Sequence, residues 1–193
     1  MNILVNCSNL KAGGGLQVSD SSCRQLHLFP NHRFVVVLSK YLDSTAEHIT
    51  LNGNLIVVRY DISNNIQTVL FGRDTLLDRL VEEQHVSAVL TVFGPSRWRP
   101  RVPHLSGFAL PQIVIPESPF FQRMGICERM KWKVWCKVRK WSLQKSTDAF
   151  WTENPYISER LKKIMGGGNY DIEDRYLLRL EQTATNMERR LAA

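Results

Sequence analysis

A run of three glycines, Gly13–Gly15, lies between a short apolar segment and a helical pattern, where a ligand could reach the backbone. Glycine permits positive φ and lets a ligand approach the main chain closely. The first N–H groups of the following helix carry partial positive charge, which suits a phosphate. The run lacks both the Gly-Lys-Ser/Thr of a P-loop and the G-x-G-x-x-G spacing. It therefore predicts either a phosphate-binding loop or a tight strand-to-helix turn without a ligand.

A proline-rich stretch, GPSRWRPRVPHLSGFALPQ, follows the fourth predicted strand and holds a second group of candidate side chains. Arg97, Arg99 and Arg101 could clamp a diphosphate or an anionic sugar, because a guanidinium group binds phosphate oxygens in pairs. Trp98 offers an apolar face on which a sugar ring could stack. His104 is a candidate catalytic base or acceptor-orienting group, since its unperturbed pKa lies near neutrality. The alternatives are a solvated, proline-stiffened loop and, for the histidine, simple packing with a backbone hydrogen bond.

A basic, tryptophan-rich segment, ERMKWKVWCKVRKWSLQK, carries most of the net charge of the chain. It holds seven lysines and arginines and one glutamate, so it contributes +6 of the formal +7. Helical spacing places Met130, Val134, Val138 and Trp141 on one stripe, and tryptophan combined with lysine and arginine is typical of an interfacial helix. The residues predicted to face an anionic membrane are Trp132, Lys133, Trp135, Lys137, Arg139, Lys140 and Trp141.

Two other interpretations of this basic segment remain open. The apolar stripe could pack into the core with the lysines solvated outside, or the charge could attract nucleic acid. No nucleic-acid recognition motif accompanies the charge, so we predict no nucleic-acid partner.

The remaining composition argues against several other classes of protein. The four cysteines form no CxxC pair and no cluster with histidine, which favours free thiols and no metal site. The chain opens on a strand-like run rather than a signal peptide. The longest apolar run, Phe34–Leu38, is far too short to span a membrane. We therefore expect a cytoplasmic protein, at most peripheral on the inner membrane face.

The elements that must position these residues follow an alternating pattern. Short, β-branched apolar runs predict buried parallel strands at Ile3–Cys7, Phe34–Leu38, Leu55–Tyr60, Ala88–Phe93, Gln112–Ile115 and Ala149–Thr152. Helical patterns between them cover Leu16–Leu28 and Val69–Gln84, and Asn154 with Pro155 predicts the start of a helix that ends at Met165. Alternating strands and helices predict an α/β fold with a Rossmann-like, doubly wound parallel sheet.

The C-terminal segment has a different pattern. A second run of three glycines, Gly166–Gly168, lies between two helical patterns and predicts a flexible hinge. Apolar residues at steps of three and four predict an amphipathic helix over Asn169–Ala193 that docks on the domain. Glu173 and Glu181 are eight positions apart within this helical pattern and are not interpreted as a catalytic pair.

Several ordered segments over residues 1–165 resemble one family. MNILVNCSNLKAGGGLQVSDSSCRQL, NHRFVVVLS, TVFGPSRW and HLSGFALPQIVIP resemble the N-terminal half of bacterial GT-B glycosyltransferases, of the retaining family 4 type that builds surface polysaccharides. The resemblance implies that Gly13, Gly14 and Gly15 line a cleft between two Rossmann-like domains, near the donor diphosphate and the acceptor. In the turn IPESP, at the end of a predicted strand, Glu117 and Ser118 are candidate acceptor contacts.

The resemblance also implies substrates and a domain organisation. The full enzyme would transfer a sugar from a nucleotide-sugar donor to a glycan or lipid-linked acceptor, without a metal or a further cofactor. A second domain of the family, which binds the donor and carries a Glu-x7-Glu pair, has no counterpart here. We therefore interpret 166–168 as a linker that could be an engineered junction replacing that domain, and 169–193 as the terminal helix packing back. Alone, such a chain is expected to be inactive.

Two functions from other classes compete with this interpretation. One is a non-catalytic α/β module that docks on membranes or partners. The other is a nucleotide-binding oxidoreductase, which the missing G-x-G-x-x-G and the absence of an acidic residue directly after the second predicted strand disfavour.

Overall fold

The computed structural model describes residues 1–49, 53–62, 68, 71–165 and 171–174. The strands within these ranges are β1 Asn2–Cys7, β2 Arg33–Leu38, β3 Leu55–Arg59, β4 Ala88–Thr91, β5 His104–Gly107, β6 Ala149–Thr152 and β7 Asp171–Asp174. They form one sheet in the order β3-β2-β1-β4-β5-β6-β7, and every neighbouring pair is parallel. The predicted Rossmann-like α/β fold is confirmed.

Helices cover both faces of this sheet. The described helices are α1 Gly14–Arg24, α2 Asp43–Ile49, α3 Thr75–Glu83, α4 Pro111–Val114, α5 Pro119–Gln122, α6 Ile126–Ser146 and α7 Pro155–Met165, with 3-10 turns at Leu26–Leu28 and Lys40–Leu42. Parallel strands covered on both faces need side chains that are apolar in both directions, and Val35, Val36 and Val37 are accordingly fully buried.

The alternating side chains of the strands divide the core into separate clusters. Val36 in β2 packs in a cluster with residues of α1 and α2. Val35 and Val37 pack instead with Leu77 of α3 and with Trp98. A third cluster joins β6 to α4, α6 and α7 around Phe150. The period-two alternation of the strands therefore places helices on both sides of the sheet.

Two helix starts follow the rules of side-chain capping. The Asp74 carboxylate accepts a hydrogen bond from the Leu77 N–H at 3.2 Å at the start of α3. The Asn154 side chain accepts one from the Ile157 N–H at 3.0 Å at the start of α7. These bonds satisfy backbone donors that have no partner within the helix, and the predicted start of α7 is confirmed.

The fifth predicted strand is wrong. Gln112–Ile115 was predicted as a strand, but the structure has the short helix α4 there. The true fifth strand, β5, lies in the segment predicted to be a loop. Pro111 stands at the first position of α4, where its fixed φ and missing N–H suit a helix start. The sequence HLSG of β5 is buried throughout but is too polar to resemble a buried strand.

The limits of the other predicted elements shift by a few residues. The helix predicted over 16–28 is α1, which begins at Gly14 and ends at Arg24, followed by the 3-10 turn. The helix predicted over 69–84 begins only at Thr75, after the Asp74 cap. The sequence patterns did not reveal α2.

The predicted C-terminal helix is wrong where the structure describes it. Asp171–Asp174 forms β7, which pairs in parallel with β6. Glu173 therefore lies in a strand rather than in a helix. Residues 166–170 and 175–193, and with them Glu181, lie outside the described residues.

Candidate functional site

The best placed candidate site is the crevice where the sheet reverses its strand order. β1 has β2 on one side and β4 on the other, so the connections that leave β1 and β4 diverge. In open α/β sheets, ligands bind at such a switch point, beyond the carboxyl ends of the strands. Gly13–Gly15, here called the glycine ledge, follow β1 at this position.

The glycine ledge is open. Gly13 has φ +78°, and a Cβ atom added to Gly13 or Gly14 would meet no described atom within 4 Å. A Cβ atom on Gly15 would meet only the side chains of Leu10 and Phe93, each at 3.4 Å. The main chain at the start of α1 is therefore uncovered.

The start of α1 also keeps its positive electrostatic end. No side chain caps it, and its first turn contains no acidic residue. The helix dipole and the terminal N–H groups together favour an anion at such a position. The ledge therefore offers main-chain donors to a phosphate without competition from a carboxylate of its own first turn.

Asn9 is a candidate site residue that the sequence did not reveal. Its side-chain amide donates to the Phe93 carbonyl oxygen at 2.6 Å, which joins the connection after β1 to the one after β4. Its Oδ1 atom is buried and has no hydrogen-bond partner among the described residues. A buried acceptor without a donor is costly, so the arrangement suits a ligand hydroxyl. The only sequence signal was an asparagine shortly before the glycine-rich run.

Arg97 and Arg99 do not join the glycine ledge. Neither lies within 4 Å of a Cβ atom built on any ledge glycine. They line a separate cavity of about 240 Å³, here called the basic pocket, whose lining residues are Phe71, Gly72, Arg97, Arg99, Trp141, Ser142, Lys145 and Ser146. Arg101 instead pairs with Glu82 at 3.7 Å. Arg97 and Arg99 therefore share one cavity that Arg101 does not line, and the diphosphate contact of these arginines stays a prediction.

Trp98 cannot stack on a sugar. Its side chain is completely buried and packs in the cluster that contains Leu77. The indole N–H donates to Asp78 Oδ1 at 2.9 Å. The segment between β4 and β5 contains no described helix, so this large side chain covers the sheet there instead.

His104 is a buried structural residue rather than a catalytic base. It begins β5, at the end of the strand opposite to the one where ligands bind. Its Nδ1–H donates to the Ser146 carbonyl oxygen, which leaves Nε2 to accept from the Thr91 hydroxyl at 2.7 Å. Burial lowers the pKa to about 4, against smaller opposing effects of Ser146 and Asp148. The imidazole is therefore neutral at physiological pH and out of reach of a substrate.

Glu117 and Ser118 stabilise a loop. The Glu117 carboxylate pairs with Arg160 of α7, and this hydrogen bond lowers the pKa of Glu117. Arg160 also donates to the Val114 carbonyl oxygen at 3.1 Å. The Ser118 N–H donates to the Ile115 carbonyl oxygen at 3.2 Å. The described contacts thus tie the turn to α4 and α7.

The apolar stripe of α6 faces solvent. Its members, here called the exposed stripe, are Ile126, Met130, Val134, Val138 and Trp141, with exposed fractions of 79%, 64%, 61%, 54% and 41%. Lys133, Lys137 and Lys145 are exposed on the same helix. The interpretation of this stripe as core is therefore wrong, because every member of the stripe keeps 41% or more of its surface exposed.

The other side chains predicted to face a membrane are partly engaged within the protein. Trp132 and Trp135 are half-buried and meet edge to face with ring centres 4.6 Å apart. The Arg139 guanidinium lies 4.6 Å from the Trp135 ring centre. Lys140 donates to the Ile164 carbonyl oxygen at 2.6 Å, near the end of α7. Lys140 therefore has a structural role, which corrects its assignment to the membrane surface.

A second cavity, of about 260 Å³, lies between α4 and α6. Apolar side chains of Ile113, Phe121 and Val134 line it together with Lys133 and Lys137. The Gln112 side chain also lines it, and its Oε1 is buried without a hydrogen-bond partner among the described residues. This cavity therefore opens beside the exposed stripe.

Other kinds of site are not found in the described part of the chain. No group of three or more His, Cys, Asp or Glu residues there could hold a metal ion, and no described helix is long and apolar enough to cross a bilayer. Cys7, Cys23, Cys127 and Cys136 are free thiols. Comparison with known proteins adds nothing to these observations, since no family model and no curated protein matches this chain.

Proposed function

We propose that this chain is the acceptor-side domain of a retaining GT-B glycosyltransferase that builds a surface glycan. The observation that carries the proposal is the glycine ledge, which is open, uncapped and located at the switch point of the sheet. Support also comes from the sequence segments that resemble this family. The substrates would be a nucleotide-sugar donor and a glycan or lipid-linked acceptor.

The proposed reaction uses the ledge to stabilise a leaving group. The bond between the anomeric carbon and the diphosphate oxygen breaks, and a bond to the acceptor hydroxyl forms on the same face of the sugar. The hydroxyl proton passes to the departing diphosphate. N–H groups at the start of α1 would stabilise the charge that develops on that diphosphate, and Asn9 Oδ1 would accept from a substrate hydroxyl. Donor-reading groups would come from a second domain, which the described residues do not form.

The exposed stripe supports a further part of the proposal, contact with an anionic membrane. Exposed apolar side chains with exposed lysines among them, all on one helix, suit contact with an anionic surface. Each basic residue near an anionic surface contributes on the order of 1 kcal/mol. The same stripe favours the alternative function, a non-catalytic docking module, which would use α6 without any chemistry at the ledge.

A nucleotide titration tests the ledge. We expect UDP, GDP or pyrophosphate to shift the backbone amide resonances of residues 13–16 in the ¹⁵N-labelled chain. Gly14→Asp should abolish these shifts, because it places a carboxylate at the binding surface. The variant should still fold, since its Cβ atom enters open space and an acidic residue in the first turn stabilises a helix by about 0.3–1 kcal/mol.

The matched control for this test is Gly125→Asp. Gly125 precedes α6 and also has open space around its Cβ position, so the same substitution introduces the same charge at another helix start. This variant should bind like the wild type. Equal loss in both variants, or shifts confined to residues outside the ledge, would contradict the proposed transferase site. NADH binding at the ledge without binding of UDP or GDP would favour the oxidoreductase.

Vesicle co-sedimentation tests the membrane contact. We expect binding to phosphatidylcholine vesicles with roughly 30 mol% phosphatidylglycerol at about 50 mM salt, and much weaker binding at about 500 mM salt. Val134→Ser should weaken binding several-fold by removing apolar area. Leu28→Ser is the control, because Leu28 is exposed to a similar extent, at 59%, but lies outside α6. Absence of binding at low salt would remove the membrane contact and leave the ledge proposal standing.

The encoding locus offers an independent test of the transferase against the docking module. The transferase proposal expects a second α/β domain encoded in the same reading frame or beside it. A locus without any donor-binding domain would favour the docking module.

A further inference from the structure

The basic pocket has no role in the function proposed above. Ser146 lines it and hydrogen-bonds His104, the first residue of β5. One wall of the pocket therefore lies at the amino ends of the strands, whereas the glycine ledge follows the carboxyl end of β1. The two sites are distinct, and the inference below does not depend on the transferase proposal.

The local backbone holds the arginine wall of this pocket in place. The Arg99 N–H donates to the Gly72 carbonyl oxygen at 2.8 Å. Gly72 has φ +66°, and a Cβ atom added there would lie 3.0 Å from the Arg99 Cβ. The glycine therefore permits a close approach that another residue would obstruct. Buried Trp98 lies between Arg97 and Arg99 in the sequence and anchors their segment to the core.

Arg97 has an unusual backbone conformation. Its φ is +59°, in the left-handed region that residues other than glycine rarely occupy. Such conformations cost of order 1–3 kcal/mol and cluster at binding sites. The strained conformation of Arg97 therefore supports the interpretation of this pocket as a binding site.

The pocket concentrates positive charge. Arg97, Arg99 and Lys145 line it, and none of its described lining residues is acidic. Arg139 lies close enough for the charge of Arg97 to add to the effect of burial, and both lower the pKa of Arg139. Positively charged side chains that line one cavity attract an anion. The hydroxyl of Ser142, on the same wall, could donate a further hydrogen bond to an anion.

We propose that the basic pocket binds a phosphate monoester group. Guanidinium groups bind phosphate oxygens in pairs, and an ammonium group adds a point charge. Two aromatic side chains, Phe71 and Trp141, line the same cavity and are 71% and 41% exposed. Such rings suit the apolar or sugar part that carries the phosphate.

The position of Trp141 connects this pocket to the bilayer. Trp141 belongs both to the exposed stripe and to the pocket wall, and the Lys145 ammonium lies 4.5 Å from its ring centre. A helix lying on a bilayer through the stripe would bring the pocket to the level of the headgroups. The phosphate could therefore come from a phosphomonoester lipid or from a soluble sugar phosphate or inorganic phosphate.

Two binding measurements distinguish these sources. The first titrates inorganic phosphate and glucose 1-phosphate into the ¹⁵N-labelled chain and follows the Trp141 indole N–H and the Arg99 backbone N–H. The second compares vesicles that contain phosphatidic acid with vesicles that contain phosphatidylglycerol at matched surface potential, so that charge alone cannot explain a preference. We expect shifts at both reporters in the first measurement, or a preference for phosphatidic acid in the second.

Matched variants assign the binding to the pocket. Arg99→Gln should weaken binding by about tenfold, because it removes a charge-assisted contact. Arg101→Gln, an exposed arginine outside the pocket, should change it by less than about twofold. Lys145→Gln, inside the pocket, and Lys131→Gln, outside it on the same helix, form a second test and control pair with the same expectations. Gly14→Asp should leave phosphate binding at the pocket unchanged, which separates this test from that of the ledge.

Each outcome supports or overturns the proposed phosphate site. Shifts by soluble phosphates without a preference for phosphatidic acid support a pocket for a soluble ligand. A preference for phosphatidic acid that Arg99→Gln removes supports a lipid headgroup site. Absence of both, or equal losses in Arg99→Gln and Arg101→Gln, overturns the proposal.

Discussion

The buried imidazole of His104 should make the protein sensitive to mild acid. The folded state holds this side chain neutral with a pKa of about 4, against an ordinary value of 6.5. As the pH falls through 6.5, the unfolded chain takes up a proton at this residue and the folded chain does not. Stability therefore falls with decreasing pH between about 6.5 and about 4, and this contribution changes little outside that window.

The size of this effect follows from the two pKa values. Between about pH 7.5 and about pH 5, the proton uptake of the unfolded state lowers the free energy of unfolding by about 2 kcal/mol. Carboxylates such as Glu117, whose pKa is lowered, lose their contributions at lower pH and overlap little with this range. Urea denaturation at a series of pH values, followed by circular dichroism, measures the slope.

His104→Gln provides the comparison. The variant should be less stable at neutral pH by about 1–3 kcal/mol, because Thr91 and Ser146 lose a buried hydrogen-bond partner. Its loss of stability between about pH 7.5 and about pH 5 should nevertheless be smaller than that of the wild type by about 2 kcal/mol. Identical slopes for the two proteins, or an NMR titration of His104 near its ordinary pKa, would refute this account.

Three further predictions concern other parts of the fold. Gly107→Ala should lower the free energy of unfolding by more than about 3 kcal/mol, because the added methyl group would clash with the Val92 carbonyl oxygen; a thermal midpoint close to that of the wild type would contradict this. Asp74→Ala should cost about 1–4 kcal/mol, because it removes both the cap of α3 and the acceptor of the Tyr60 hydroxyl. Urea unfolding measures this cost, with Asp74→Asn as the conservative control. Cys127, exposed at the start of α6, should react with a maleimide before the buried Cys7 and Cys23. Peptide mass spectrometry after brief labelling measures the order of reaction. Initial labelling at a buried cysteine would count against the described packing.

The sequence predicted the sheet well where strands are uniformly apolar. The runs that became β1, β2 and β3 have β-branched side chains that are apolar on both faces, so their hydrophobicity is visible without the fold. The sequence did not predict β5, because the burial of this strand depends on tertiary contacts. The polar side chain of His104 is satisfied by Thr91 and Ser146, which are distant in the chain, and a linear pattern cannot reveal such partners.

The candidate site was predictable only in part. The glycine ledge follows from position alone, since any loop after β1 of such a sheet reaches the ligand edge. The prediction missed β5 and therefore treated the segment that holds Arg97 and Arg99 as a loop at the ligand edge. Once β5 begins at His104, the segment must return to the opposite edge of the sheet. The sequence also could not predict whether the α6 stripe is exposed, because helical periodicity shows that a helix face is apolar but not what covers it.

The uneven burial of the tryptophans supplies the protein with two separate optical signals. Trp98 is completely buried and Trp151 is only 8% exposed, whereas Trp141 is 41% exposed. Fluorescence from the first two should shift to the red only when the domain unfolds. Emission from the α6 tryptophans, Trp141 above all, should shift to the blue and resist aqueous quenchers when α6 enters a bilayer, so the direction of the shift separates loss of structure from attachment to lipid.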